Sequence, residues 1–434
     1  MMIAEILRRT PVTLWKRAVL LVFMVGMTAT AMGQTPTGQR HGDDVLMARQ
    51  GVDQLLRVDF DAALATFARL EQRYPGYPLT GFLRGAVWWV RAEAEQDAAR
   101  VNAQNKTIEE LEAAIARAEA TIAEGNKDPR WQLARGNAYF FAARIFNDQG
   151  ELFKAYRYGR KGRDILRDLI AEHPEMNDAY FVLGMYEYIT GSIPRGLRWL
   201  AYILDLNGDR ALGVQYLERA TVSAPVMAPE AARILLAAAA IQPEHNRPCD
   251  YLPLAEYMNG QFDTNPHYSG ALQLIYVHCG YPQKALTENV RARRLFLEKY
   301  PGLVDTLDII ELQAYRSLGD LKKVEAMRPV FRTRDPAFWY LAKAQTLDLL
   351  GEDKNAKRMY DDLFWFDPNQ DNSALGFTQV PDWVMDQVEI SRKTPFTKPV
   401  PRTPGGSSVL KLYEPTALPV TPPDKFGPPL AKRP

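Results

Sequence analysis

Apolar residues recur along most of this chain at three- and four-residue spacing, in stretches that end at proline. Ala63, Leu64, Phe67 and Leu70 fall on one helical face, and that stretch stops at Tyr74-Pro75. Lys106–Ala123 sets Ile108, Leu111, Ile115 and Ile122 on one face, with Glu109, Glu110, Glu112 and Arg117 largely on the other. Leu152–His173 closes at Pro174, and Pro282–Tyr300 closes at Pro301. Proline steers the residue before it out of the helical region, so each of these prolines marks a helix end. No stretch sustains the alternation of a half-buried strand, so almost no sheet is expected. The pattern predicts an all-α chain of antiparallel helix pairs.

The pairs follow one another in order. The first spans Asp44–Pro75, with Gly51 at the close-packing point of its first helix and Phe60 after the turn. Leu79–Asp97 and Lys106–Ala123 make the next. Asp128–Phe146 then pairs with Leu152–His173, Pro229–Ile241 with Cys249–Met258, and Pro266–Cys279 with Pro282–Tyr300. Val304–Leu318 pairs with Leu321–Phe331, and a last unit carries Ala344, Gly351, Ala356, Tyr360, Leu363 and Pro368. Small residues let two helix backbones approach, and large ones fill the space between. Repetition of helix, glycine turn, helix and proline predicts an α-solenoid. We divide it into an N-terminal array, 44–225, and a C-terminal array, 226–390, in which Asp382–Ile390 caps the end.

Tyr180–Pro225 is the most informative stretch. It opens with Tyr180 and Leu183-Gly184, and closes with Gly208-Asp209, Gly213, Leu217, Ala220 and Pro225. An apolar insert, Gly191–Asn207, lies between. Without the insert, these residues resemble the helix pair of a tetratricopeptide repeat. The run Leu183-Gly184-Met185-Tyr186-Glu187-Tyr188, then Ile193-Pro194-Arg195, then Gly208-Asp209-Arg210-Ala211-Leu212-Gly213 resembles one subgroup of that family. The subgroup includes bacterial exported repeat proteins. The run is also similar to the core of the eukaryotic tetratricopeptide-repeat-39 and inclusion-body-clearance family. Here Ile193-Pro194 stands at the family's Leu-Pro break, and Val214 stands where Leu is usual. The likeness is specific over Tyr180–Pro225 and looser over Asp44–Pro368. It implies an all-helical scaffold without catalytic residues, in which Gly184, Pro194, Gly208, Asp209, Arg210 and Gly213 form a structural motif. The relatives' links to lipid balance and aggregate clearance do not carry across to an exported protein.

Composition changes the picture at the two ends. Arg8, Arg9, Lys16 and Arg17 precede an apolar core, Ala18–Met27, and small-residue cleavage sites at Ala29-Thr30-Ala31 and Ala31-Met32-Gly33. We read 1–33 as a signal peptide and the protein as exported, to the periplasm of a Gram-negative cell. An uncleaved anchor is the alternative, against which the apolar run falls short of the ~20 residues of a membrane span. Cleavage after Gly33 takes the formal charge from +1 to −2. No global basic field points to nucleic acid. At the other end, 391–434 reads as a disordered basic tail. Residues 395–434 hold 11 prolines, and from Arg392 onward there are eight Lys/Arg against two Asp/Glu. The tail is either a tether to an anionic envelope surface or simply solvated.

Chemistry-bearing residues are few. With five His and two Cys, and without HExxH, GxSxG, GxxxxGK[ST] or a Rossmann glycine pattern, no enzyme, cofactor or metal site is expected. Cys249 begins one helix and Cys279 ends the next. Antiparallel packing would bring them together, and export would favour a disulfide. Two buried thiols are the alternative. A metal site with His245 and His278 is disfavoured, because His278 and Cys279 point about 100° apart on a helix. In the resembling family the first helices line a concave surface. The matching positions are Phe181, Met185 and Tyr188, with Asn137, Phe140 and Phe141 one unit earlier. Tyr and Met suit peptide binding there, although most such residues simply pack against neighbours. The expected function is a scaffold binding a protein or peptide through this face. The alternative is an apolar small-molecule or lipid pocket at the 191–207 insert, around Trp199 and Tyr202.

Overall fold

The computed structural model describes residues 42–193 apart from Gln96, then 205–241, 247–331, 335–367, and 380–399 apart from Pro381 and Lys398. The leader, Pro194, the insert around Trp199 and Tyr202, His245, Pro368 and most of the tail lie outside these. Among the described residues the chain is all-helical and without strands, with 18 helices packed in consecutive pairs. No helix among them is long and apolar enough to cross a membrane. The described residues fall into two compact units. One draws on Val19–Ala238 and Tyr257–His267, the other on Ala239–Glu256 and Tyr268–Gly406.

The first unit holds α1 (Asp43–Leu56), α2 (Phe60–Arg73), α3 (Thr80–Ala94), α4 (Asp97–Ala123), α5 (Arg130–Asp148), α6 (Leu152–Glu172), α7 (Asn177–Gly191) and α8 (Arg210–Ser223). One packing device recurs in all four pairs. A glycine on the first helix lies under a large side chain of the second: Gly51 under Phe67, Gly85 under Leu111, Gly136 under Leu166, Gly184 under Leu217. Four residues before each large side chain stands a small one, namely Ala63, Thr107, Gly162 and Gly213. At the last two the backbones themselves meet. A Cβ on Gly162 would lie 2.8 Å from the Gly136 carbonyl oxygen, and one on Gly213 would lie 2.5 Å from the Tyr188 nitrogen. Helix starts are set locally. The Asp59 side chain accepts from the Ala62 amide, and the Asp209 side chain accepts from those of Ala211 and Leu212.

α4 begins nearly ten residues earlier than the helical pattern from Lys106 indicates. Asp97–Ala123 contains neither Gly nor Pro, so nothing breaks the helix once it is nucleated. Leu321–Phe331 splits the opposite way, for a reason visible in its sequence. Pro329 lacks an amide and its ring crowds the carbonyl four residues back, so the helix stops at Ala326 and resumes at Arg328.

In the second unit α11 (Pro266–His278), α12 (Pro282–Phe296) and α13 (Val304–Leu318) are joined by amides rather than by a glycine contact. Asn289 stands four residues after the buried Ala285, where the other pairs put a large apolar side chain. Its Nδ2 donates to Gln273 Oε1 at 2.9 Å and to the Leu307 carbonyl at 2.9 Å. Arg293 in turn donates to Asn289 Oδ1 and Asp308 Oδ1, so the buried amide is fully engaged. Further on, α16 (Pro336–Leu349), α17 (Asp353–Phe364) and α18 (Asp382–Lys393) enclose Leu341, Ala344, Tyr360, Leu363, Val384 and Val388.

Gly213→Ala should lower the unfolding free energy by about 1–3 kcal/mol, because the added methyl meets backbone that cannot turn aside. Gly270→Ala, in α11 with nothing near its Cβ position, should be neutral or stabilising by about 0.5–1 kcal/mol. Equal urea midpoints for the two variants would rule out the close approach of α7 and α8.

Candidate functional site: a charged groove on the third helix pair

The motif at the centre of the sequence holds α7 and α8 together. Besides Gly184 and Gly213, Gly208 and Gly191 sit at backbone contact, and a Cβ on Gly191 would come within 2.4 Å of the Arg210 nitrogen. Glu187, buried on α7, accepts from the Asp209 amide at 2.9 Å and from Arg167 of α6 at 2.6 Å. Arg210 donates to Ser192 Oγ, which itself donates to the Tyr188 carbonyl. Arg163 of α6 clasps the far end of the insert, donating to the Asp205 carbonyl at 2.6 Å, its carboxylate at 2.7 Å and Tyr186 Oη at 3.0 Å. Burial opposes the Arg163 charge, and Tyr186 and Asp205 more than restore it, leaving the guanidinium above its ordinary range.

The aromatic first-helix residues lie elsewhere than an open concave lining. Phe181, Met185, Tyr188 and Asn137 are 0%, 2%, 2% and 1% exposed, and Phe140 is half-buried. The cause is the chain that follows. Asp178 of α7 accepts from the Val226 and Met227 amides, just before α9 (Ala228–Ile241), and Tyr188 Oη donates to the Ala238 carbonyl of that helix. The inner side of α1 is covered too. Arg49 donates to the Pro225 carbonyl, and the buried Asn265 donates to the Leu56 carbonyl at 3.1 Å. Phe141 packs edge-on against Phe82 and Trp89. These residues are core.

An open groove of about 820 Å³ lies instead along α6, beside the end of α4 and the first turns of α5. Most of its charges are satisfied within the chain. Asp128 pairs with Arg130 at 2.7 Å, Asp164 with Arg163 at 2.8 Å, and Lys161 with Glu119 at 2.9 Å. Arg160 donates to Tyr156 Oη at 3.2 Å and stands 3.8 Å from Asp205. Lys127, Arg135, Arg157 and Glu172 line the groove without an ion pair among the described residues. Arg135 Nε and Gln132 Oε1 are buried there with no hydrogen-bond partner. One turn before Arg157, on the same helix, Phe153 is 74% exposed, with the Arg157 guanidinium 6.0 Å from its ring centre. Helical periodicity of the apolar residues could not single out this surface, because it is polar and assembled from three elements.

Cys249 and Cys279 are joined as a disulfide, with Cα atoms 5.4 Å apart. Cys249 lies in the 3₁₀ turn Pro248–Tyr251 and Cys279 follows the end of α11. His278 turns away to the Ala240 carbonyl at 3.0 Å, and burial lowers its pKa to about 4. Among the described residues no group of three or more His, Cys, Asp or Glu could hold a metal ion. No protein-family model matches this chain, and no curated protein or solved structure matches it.

Asp53 and Asp178 are two of several buried carboxylates, Glu93 and Glu230 among them, that give the first unit a pH signature. Burial raises Asp53 and Asp178 to about 6, against the pull of Arg49 on the first and the two amide hydrogen bonds on the second. Both bind a proton more readily folded than unfolded. The stability this provides is full below the unfolded value near pH 4 and is lost as pH rises through 6. Asp178→Asn keeps the acceptor oxygen and removes the charge. It should flatten the loss between pH 4 and pH 7 by about 3 kcal/mol, read from urea midpoints. Parallel pH profiles for wild type and variant would contradict the assignment. The disulfide has its own test. Denatured without reductant, the protein should show no titratable thiol, and Cys249→Ser with Cys279→Ser should cost roughly 3–4 kcal/mol.

Proposed function

We propose that this protein is an exported, tetratricopeptide-like α-solenoid that binds a protein or peptide partner and performs no catalysis. The observation that carries the binding reading is the groove on α6. It is open, its cations Lys127, Arg135 and Arg157 make no ion pair among the described residues, and it borders an exposed phenylalanine near an arginine. Arg and aromatic side chains are the residues on which protein interfaces concentrate their energy. The recurring glycine-under-large-residue contact supports the repeat architecture, since a solenoid is one pair packing reused. The Cys249–Cys279 disulfide supports export, because disulfides persist in oxidising compartments. The partner surface moves from the first-helix aromatics, which are core, to the second helix of the third pair.

A photoreactive side chain at Tyr156, in the chain beginning at Gln34, tests this in native envelope. It should capture one defined protein, and the same group at Arg294 should not. Capture of the same set of proteins from both positions, or of none from Tyr156, would overturn the groove as docking site.

A further inference from the structure

The charges of the groove that the chain leaves unpaired are not balanced. Three cations, Lys127, Arg135 and Arg157, face one anion, Glu172. The remaining acids are already engaged: Asp128 by Arg130, Asp164 by Arg163, and Asp168 by a contact of its own. A ligand entering the groove therefore meets net positive charge. From this we propose that the groove receives an extended acidic segment of a partner protein, with carboxylates on Arg157, Arg135 and Lys127. The inference rests on the docking reading above and names its chemistry.

The shape of the groove agrees. Arg157 and Glu172 are separated by four turns of α6, roughly 22 Å, which is room for about six extended residues. Exposed Phe153 beyond Arg157 offers an apolar seat for a flanking side chain. The chain's own tail is excluded as occupant by charge, with eight Lys/Arg against two Asp/Glu from Arg392 onward. A nucleic acid is disfavoured because the groove offers Tyr156 and no run of aromatic rings on which successive bases could stack.

The test uses fluorescein-labelled hexaglutamate, hexalysine and a single-stranded DNA oligonucleotide, titrated by anisotropy with the chain beginning at Gln34. Hexaglutamate should bind at low salt and weaken as salt is raised. Lys127→Glu with Arg157→Glu, both exposed and so neutral for folding by melting temperature, should weaken hexaglutamate by about tenfold or more. The same double variant should gain binding to hexalysine. Absent hexaglutamate binding, equal binding by the variant, or tighter binding of hexalysine or of the oligonucleotide to the wild-type chain would each overturn the proposal. If Tyr156 captures a partner whose crosslinked segment is not acidic, docking stands and this inference falls. If Tyr156 captures none, docking itself falls.

Discussion

The first unit depends on one constraint, the distance at which two helix backbones meet. Where Gly136 faces Gly162 and Gly184 faces Gly213, main chain touches main chain, and Leu166 and Leu217 close over the contact. Close approach removes apolar surface from water on both helices and leaves no void to fill. It also fixes register, since a one-residue shift would put a side chain where only hydrogen fits. The helix ends then fall where capping groups such as Asp59 and Asp209 can reach them.

Charged groups in this protein divide by whether packing has left them a partner. Glu187, Arg163 and Asp178 are buried and answered: by Arg167 and a backbone amide, by Asp205 and Tyr186, and by two amides ahead of α9. Such groups specify geometry, because a buried charge without its partner costs several kcal/mol. Asn289 plays the same part in the second unit, where an amide network replaces the glycine contact. The groove on α6 is the exception. Its cations Lys127, Arg135 and Arg157 make no ion pair among the described residues.

Helix existence was legible because amphipathic spacing and terminal prolines act over a few residues. Leu152–His173 coincides closely with α6 for that reason, whereas α12 stops at Phe296, four residues short of the end expected at Tyr300. The misread start of α4 came from giving weight to its apolar face, which begins at Ile108, when nothing upstream breaks the helix. The motif residues Gly184, Gly208, Asp209 and Gly213 were also legible, since only glycine tolerates backbone contact and Asp is a natural cap.

The sequence by itself determined an all-helical chain, its pairwise order, its tight turns and the helix ends at which Cys249 and Cys279 stand. Those are local properties, written in spacing of three and four and in glycine and proline. Only the tertiary structure decided which helix faces are covered. Phe181, Met185 and Tyr188 have the composition of a binding face, yet α9 packs across them, and residues distant in sequence close over α1. The groove between α4, α5 and α6 was hidden for the same reason. It is made of charged positions that read as solvated surface until three separate elements are brought side by side.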